Sequence, residues 1–402
     1  MLTIEQIEVL LLVAAVVAML ARRLRVPYSI GLVIAGIGLA LLPFTPRVEL
    51  TKGLIFTAFL PPLIFEAAIH LRWRDLRKDL PVILVLATLG VLLAAVVTGA
   101  GMHYIVRWSW PAAMIFGVLI AATDPVSIIA TFKEIRVEGR VRLLVEAESL
   151  FNDCTAAVAY AIVLAFAGGR SVGATGVMKT LAAVVVGAIV CGALVAGVTL
   201  LLAGATDDHL VEVTFTLVAA YGSFLLAEHF HLSGVLATLV AGLIVGNVGH
   251  LSISSRTRTA VEEFWEYAAF FVNSLIFLLI GIRVALQSFR AFLISALVAI
   301  VLVTLARAVA IYPCCLVFFK SKFRVTYAHQ HILFWGGLRG ALALALALGL
   351  PPEFPNRQEI IAVSFAVVAF SIIVQGLTIT PLMRRLGELP NAGHSVSQAA
   401  KR

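Results

Sequence analysis

The sequence predicts an all-α, polytopic membrane protein, and three observations support this fold class. The 402-residue chain is 61% hydrophobic and only 13% charged, a composition that soluble globular domains do not have. Its mean hydropathy is +1.04. The apolar runs are about 20 residues long, which is the length of a helix that crosses a bilayer, whereas barrel strands alternate over about ten residues.

The apolar runs divide the chain into about 13 predicted spans. An odd number of spans is consistent with two six-helix repeats, at about 5–167 and 210–383, around a linker span at about 175–203. The two repeats are expected to be inverted relative to each other. We expect one transporter domain over residues 1–386 and a short cytoplasmic tail over residues 387–402. The predicted spans are 5–21, 26–43, 53–70, 80–104, 110–132, 141–167, 175–203, 210–229, 232–248, 262–284, 291–318, 326–349 and 359–383.

The basic residues predict the orientation of the chain in the membrane. Of the 30 Lys and Arg residues, 20 fall in loops on one side, 8 fall in loops on the other, and 2 lie inside spans. Loops rich in Lys and Arg stay in the cytoplasm. The N-terminus is therefore expected outside and the C-terminus in the cytoplasm, in the inner or plasma membrane. This distribution indicates contact with a lipid bilayer and argues against nucleic acid as a partner.

Two predicted spans are interrupted at corresponding places in the two repeats. The fifth span contains Thr123-Asp124-Pro125, and Pro125 removes one helical hydrogen bond. The twelfth span contains Gly336-Gly337-Leu338-Arg339-Gly340. Interrupted helices in matching positions predict the binding site of a transporter. Asp124 and Arg339 would offset the dipoles of the exposed helix ends.

A polar stripe follows in the sixth span. Glu148 and Asn152 are one helical turn apart, and so are Ser149 and Asp153, so that the four side chains share one face of the helix. A carboxylate at the bilayer centre costs about 2.5–3.5 kcal/mol, and such residues mark ion or proton pathways. The stripe therefore predicts a site in the membrane interior.

The oxygen-bearing residues of these two spans are candidate ligands for a monovalent cation, since hard cations prefer oxygen. We expect Na⁺ to bind Asp153, Asp124, Thr123 and Ser149. Two further acids, Glu148 and Glu66, are expected to be buried. Glu148 needs a cationic partner, and Arg307 and Arg339 are the two arginines inside spans. Glu66, in the third span, is expected to reach the site through water or to line a vestibule.

Seven segments resemble the monovalent cation/proton antiporter family, which contains the sodium/proton exchangers and the NhaP-type bacterial antiporters. They cover nearly the whole chain. The segments are FLPPLIFEAA (59–68), ATDPVS (122–127), ESLFND (148–153), AEHFHLSGVLATLVAGLIVGN (227–247), NSLIFLLIG (273–281), LARAVAIYP around Arg307, and GGLRGA (336–341).

The resemblance implies a fold of thirteen helices in two inverted six-helix repeats, with crossed, broken helices in spans 5 and 12. A core domain would move against a dimerisation domain in an elevator-like alternating access, and the protein would be a homodimer. By analogy the cation would bind Asp153, Asp124, Thr123 and Ser149, with Asn152 nearby. Glu148 would pair with Arg307, Arg339 would neutralise the helix ends, and Glu66 would be an auxiliary acid.

These expectations predict a secondary antiporter that exchanges cytoplasmic Na⁺, or Li⁺ or K⁺, for external H⁺. It would be a transporter without a cofactor and not an enzyme. Because Asp153 can be neutralised by a proton or by a cation, the two compete. The pair Asn152-Asp153 contains one titratable group, which predicts electroneutral one-for-one exchange. The alternatives are a K⁺/H⁺ antiporter of the same fold and a cation channel. An intramembrane aspartyl protease is disfavoured because Asp124 precedes proline and Asp153 follows asparagine.

Overall fold

The computed structural model describes residues 4–24, 27–41, 51–124, 139–168, 174–249, 255–287 and 290–388, with positions 128, 129, 132, 135 and 137 between them. Within these ranges the regular secondary structure is helical and no strand occurs. The helices are α1 (Ile4–Leu24), α2 (Tyr28–Ala40), α3 (Leu54–His70), α4 (Trp73–Val106), α5 (Trp110–Ala121), α6 (Arg140–Ala167), α7 (Ala174–Ala203), α8 (His209–His229), α9 (Gly234–Val248), α10 (Ser255–Leu286), α11 (Leu293–Leu316), α12a (Tyr327–Gly336), α12b (Ala341–Leu348) and α13 (Arg357–Arg385).

Each predicted span overlaps one of these helices, or two in the case of the twelfth span, which confirms the all-helical membrane class. Seven of the described helices are long and apolar enough to cross a membrane, or eight when α12a and α12b count as one bent span. The other apolar helices are shorter over the described residues. Thirteen crossings therefore remain a prediction.

Two predicted spans begin too late, the fourth and the tenth, since α10 begins at Ser255 and not at residue 262. The fourth span was predicted to begin at residue 80, but α4 begins at Trp73. A helix can extend from the bilayer into water through charged residues. The negative charge of Asp75 in the first turn is stabilised by the helix dipole. The fifth span was predicted over residues 110–132 with a break at Thr123-Asp124-Pro125. In the structure α5 ends at Ala121, Ala122 is extended with φ −55° and ψ 138°, and the described positions 128, 129 and 132 after the break are helical. Pro125, which was expected to cause the break, lies outside the described residues.

The helices pack in two groups. The scaffold group contains α1, α2, α3 and α7 to α10. Within it α2 packs on α10, α3 packs on α9, and α7 packs on α8 and α9. The crossing group contains α4, α5, α6, α11, α12a, α12b and α13. Within it α4 packs on α5 and α11, α5 packs on α6 and α12b, and α11 packs on α13.

Glycines allow close contact between helices of the scaffold group. Gly36 of α2 faces Gly281 of α10, and a Cβ atom on either residue would collide with the backbone of the other helix. Gly246 of α9 faces the backbone of Ile69 in α3 in the same way. Small residues let helix backbones approach closely in a membrane, where dispersion contacts replace the hydrophobic effect as the main attraction.

The connection from α3 to α4 joins the two groups and has only two residues, Leu71 and Arg72. Asn247 near the end of α9 binds both sides of it. The backbone N–H of Trp73 donates to Asn247 Oδ1 at 2.7 Å, and Asn247 Nδ2 donates to the carbonyl of Leu71 at 2.8 Å. The scaffold group therefore holds the start of α4 through one amide side chain.

Candidate functional site

The site begins at the break between α12a and α12b. The two helices meet at a bend of 40°, and residues Gly337 to Gly340 between them are not helical. Two of the glycines make room for charged side chains. A Cβ atom on Gly340 would collide with the carboxyl group of Asp124, and one on Gly337 would collide with the guanidinium group of Arg307.

The end of α5 meets this break directly. The backbone N–H of Asp124 donates to the carbonyl of Leu338 at 2.6 Å. Arg339 Nη1 donates to the carbonyls of Ala121 and Ala122 at 2.6 and 3.1 Å. These are terminal carbonyls of α5, which carry the negative end of the helix dipole. The arginine predicted to neutralise helix ends is therefore placed against one of them.

Glu148 and Arg307 form a buried, two-pronged ion pair. Arg307 Nη1 and Nη2 donate to the two carboxylate oxygens of Glu148 at 2.7 and 2.9 Å, and Nη2 also donates to the carbonyl of Leu333 at 3.0 Å. Glu148 is 0% exposed. The sequence left two arginines as possible partners, and in the structure Glu148 pairs with Arg307 while Arg339 binds backbone carbonyls.

The polar stripe of α6 extends from this ion pair to α5. Asn152 Nδ2 donates to Glu148 Oε1 and to Thr123 Oγ1, both at 3.3 Å. The Thr123 hydroxyl donates to Ser149 Oγ at 3.0 Å. Asn152 therefore connects the ion pair to the two hydroxyl groups that were predicted as cation ligands.

Asp153 and Asp124 line one cavity together with Thr123. Both carboxyl groups are buried, with 5% and 9% of the residue surface exposed. The opposite wall is apolar and belongs to the scaffold group, so the cavity lies where the two groups of helices meet. The remaining lining residues are Leu60, Leu63, Ile64, Ala122, Gly340, Ala341, Leu342 and Ala343.

Two buried oxygen atoms of the stripe, Asp153 Oδ1 and Asn152 Oδ1, have no hydrogen-bond donor among the described residues. Buried acceptors are nearly always satisfied in native proteins. A proton or a monovalent cation would satisfy the carboxylate oxygen of Asp153, while a cation or a hydrogen-bond donor would satisfy the amide oxygen of Asn152. Four oxygen-bearing side chains from α6 and the end of α5 are thus gathered around a carboxylate that can take a proton or a cation.

Residues 10–385 match the sequence model of the family described as "Sodium/hydrogen exchanger, transmembrane". The chain belongs to this family. It is 39% identical over 369 residues to the Na⁺/H⁺ antiporter ApNhaP of Aphanothece halophytica. The aligned residues cover 90% of this chain and 70% of that protein. It is 35% identical over 401 residues to the Na⁺/H⁺ antiporter NhaH of Halobacillus aidingensis, with 95% and 97% covered.

A solved structure shares the fold of this exchanger. The sodium proton antiporter MjNhaP1 of Methanocaldococcus jannaschii, at pH 8, superposes with a TM-score of 0.78 and covers 95% of this chain and 98% of its own. The two sequences are 21% identical. The predicted resemblance to the cation/proton antiporter family is therefore confirmed, and the exchanger fold with it.

Glu66 of this exchanger belongs to α3 of the scaffold group, whereas the other predicted residues belong to the crossing group or to the end of α5. It is buried in α3, and His70 Nδ1 contacts its Oε1 at 3.6 Å and its carbonyl oxygen at 2.8 Å. Glu66 is not among the residues that line the cavity at Asp153. The structure therefore does not bring this acid into the cavity with the two aspartates.

Two residues of α13 that the sequence did not predict, Ser371 and Gln375, are linked to the crossing by hydrogen bonds. The backbone N–H of Arg339 donates to Ser371 Oγ at 2.9 Å, and the Ser371 hydroxyl donates to Gln375 Oε1 at 2.6 Å. They occupy a π-helical turn, Ser371–Gln375, a feature often found at functional sites. A serine and a glutamine four residues apart in an apolar run were the available signal.

Proposed function

We propose that the chain is a Na⁺/H⁺ antiporter that moves cytoplasmic Na⁺ outward in exchange for external H⁺. The observation that carries this proposal is the buried carboxylate of Asp153, which has an oxygen without a described donor at the cavity between the two helix groups. Membership of the exchanger family and the names of the relatives support it.

The cation would bind Asp153, Asp124, Thr123 and Ser149. All four contribute oxygen, which suits a hard cation, and all four are buried. Asn152 would hold the hydroxyl of Thr123 in place through its amide nitrogen. A proton on Asp153 would remove the negative charge that attracts the cation. Proton and cation would therefore exclude each other at one carboxylate.

The charges at the crossing support one-for-one exchange. Three carboxylates, Asp124, Glu148 and Asp153, face two guanidinium groups, Arg307 and Arg339, so the ionised set carries a formal charge of −1. One monovalent cation or one proton neutralises it. An uncompensated buried charge is strongly unfavourable in a membrane, so the empty site would not move. Exchange of one Na⁺ for one H⁺ leaves the net charge unchanged and would be electroneutral.

The packing supports two inverted repeats and alternating access. Each helix of the first repeat corresponds to the helix numbered seven higher in the second, so α2 corresponds to α9 and α3 to α10. The contact of α2 with α10 therefore corresponds to the contact of α9 with α3. The contact of α4 with α5 corresponds likewise to that of α11 with α12a. The crossing group would be the core domain, and the scaffold group would form the dimerisation domain of a homodimer. Elevator-like movement of the core would carry the site past the apolar wall of α3.

Proton flux in proteoliposomes tests the function. Purified protein is reconstituted with a pH-sensitive dye in the lumen, and Na⁺, Li⁺ or K⁺ is added with the membrane potential clamped at zero and then at a negative value. We expect a Na⁺-dependent pH change of equal rate at both potentials. A faster flux at negative potential would contradict the one-for-one stoichiometry.

The same assay separates the alternatives. A pH change with K⁺ that exceeds the change with Na⁺ would identify a K⁺/H⁺ antiporter. Movement of radioactive Na⁺ without any counterflow of protons would identify a channel. Asp153→Asn protein in matched liposomes gives the background rate.

A further inference from the structure

Five basic side chains form a rim at one end of the crossing group. The connection between α11 and α12a, residues 317–326, contains three of them and no acidic residue. Two more stand at the end of α13. All five side chains are exposed. The basic rim consists of Lys320, Lys322, Arg324, Arg384 and Arg385.

The connection that carries three of these residues is held in a defined conformation by its own hydrogen bonds. Ser321 is at its centre. The Ser321 hydroxyl donates to the carbonyl of Phe318 at 3.0 Å, and its oxygen accepts from the N–H of Phe323 at 3.1 Å. The rings of Phe318 and Phe323 meet edge to face with centroids 6.2 Å apart. The basic side chains are therefore presented from a folded segment.

A partly buried ion pair attaches this segment to the rest of the crossing group. Arg140 at the start of α6 binds Asp79 of α4 at 2.7 Å. The same guanidinium donates to the carbonyls of Arg324 and Phe323 at 2.7 and 3.1 Å. Because Arg140 binds backbone oxygens, this attachment does not depend on the side chains of the rim. Anything bound to the rim would be coupled to α4 and α6.

The end of α13 lies beside the same segment. His329 Nε2 at the start of α12a contacts Glu388 Oε1 at 3.3 Å. Glu388 follows Arg384 and Arg385 closely, and the backbone N–H of Glu388 donates to the carbonyl of Met383. The two arginines of α13 therefore belong to the same end of the crossing group as the three residues of the connection.

Exposed apolar side chains lie immediately next to the basic rim. Leu316, Val317 and Phe319 are 59%, 68% and 43% exposed. Arg324 lies over the ring of Phe319, with its guanidinium carbon 4.7 Å from the centroid. Apolar residues of this kind insert at the level of the acyl chains, while long basic side chains reach the headgroups. The combination fits the surface of a membrane and not a soluble partner.

We propose that the basic rim binds the phosphate headgroups of anionic phospholipids in the adjacent leaflet. The rim offers several cations to a phosphate diester, and clusters of four or more Lys and Arg next to a membrane helix recognise such lipids. This binding is independent of the exchange reaction proposed above. Its test uses lipid binding as the readout, so that failure of one proposal leaves the other untouched.

Retention of phosphatidylglycerol by the purified full-length protein, measured by native mass spectrometry as lipid is titrated, tests the proposal. The variant carries K320Q, K322Q and R324Q. The matched control carries K52Q, R107Q and K179Q, which removes the same charge from three exposed positions in separate segments of the chain. Each basic residue near an anionic surface contributes a comparable amount to binding, so the rim variant should lose on the order of 100-fold in affinity. The control should change it by less than about tenfold.

Three outcomes would overturn the proposal. The first is equal loss in the control, which would mean that net charge alone attracts the lipid. The second is equal retention of phosphatidylglycerol and phosphatidylcholine by the unaltered protein. The third concerns soluble phosphate, which shares the headgroup chemistry. If glycerol 3-phosphate at millimolar concentration displaced the lipid and bound as tightly, the rim would be a site for a soluble anion.

Discussion

The crossing of α5 with α12 and the contact of α2 with α10 bring helices together in the same apolar surroundings by different means. At the crossing, Arg339 binds terminal carbonyls of α5 and Glu148 pairs with Arg307. Between α2 and α10, Gly36 and Gly281 meet with no charged group involved. The first contact is made of ionic and polar groups that can change partners or charge state. The second is made of backbone atoms in van der Waals contact.

This difference assigns different consequences to mutations in the two regions. Changes at the crossing should alter exchange, ion affinity or the balance of buried charge. Changes at the glycine contact should alter stability and leave the chemistry of the site unchanged in the protein that folds.

Asp153→Asn should abolish exchange, since asparagine has a similar shape but can neither ionise nor take up a proton. We expect flux in proteoliposomes to fall to the level of empty liposomes, with thermal stability in detergent equal to or above that of the unaltered protein because a buried charge has been removed. Measurable coupled Na⁺/H⁺ exchange by this variant would contradict the assignment of Asp153.

Glu148→Ala should lower the free energy of unfolding by about 3–5 kcal/mol, because it leaves the guanidinium group of Arg307 buried without its carboxylate. The measurement is thermal unfolding of the detergent-purified protein. The control is Glu262→Ala in α10, whose partner Arg258 is exposed, and it should cost less than about 1 kcal/mol. Equal stability of the two variants would show that the buried pair is not important for folding.

Gly36→Ala should lower stability by about 1–3 kcal/mol, since even one methyl group would overlap the backbone of α10. The control is Gly38→Ala in the same helix, where a Cβ atom would meet nothing within 4 Å. That variant should be neutral or slightly more stable because alanine favours helix. The folded Gly36→Ala protein should keep the Na⁺ affinity of the unaltered protein in the flux assay. A changed affinity would break the division between the two regions.

Ser371→Ala should cost about 1 kcal/mol in stability, because the backbone N–H of Arg339 loses its acceptor. It should also raise the Na⁺ concentration needed for half-maximal flux, since the backbone at Arg339 is held beside Asp124. Ser364→Ala on the same helix is the control, because the Ser364 hydroxyl donates only to the carbonyl of Ile360 one turn earlier. If both variants have the same Na⁺ dependence, Ser371 has a structural role alone.

The sequence was informative where a residue was out of place in an apolar run. Asp124, Asp153 and Arg339 are costly in a bilayer, so their presence alone predicted a site. The spacing of residues could not identify Arg307 rather than Arg339 as the partner of Glu148, because both arginines lie in distant spans. Only the packing of α6 on its neighbouring helices determines which arginine it meets. The resemblance to the antiporter family did name Arg307.

Other features could not be predicted because they depend on tertiary contacts. Gly36 and Gly281 look like any glycine in a membrane helix until α2 and α10 are placed together. The hydrogen bond from Arg339 to Ser371 depends on a π-helical turn that one sequence does not reveal. The early start of α4 was missed for a simpler reason. The predicted spans were bounded by their apolar residues, but a helix that extends into water can continue through polar and charged residues.

The Asn247 side chain binds the connection between α3 and α4, and this clamp limits how the two helix groups can move. Two extended residues span at most about 7 Å, and the amide of Asn247 already binds both flanks of the two-residue connection. The start of α4 therefore cannot travel far from the end of α3. Any displacement of the crossing group must be smallest at this corner and grow with distance from it. Such a movement contains a rotation about the corner, and pure translation along the membrane normal would break the clamp.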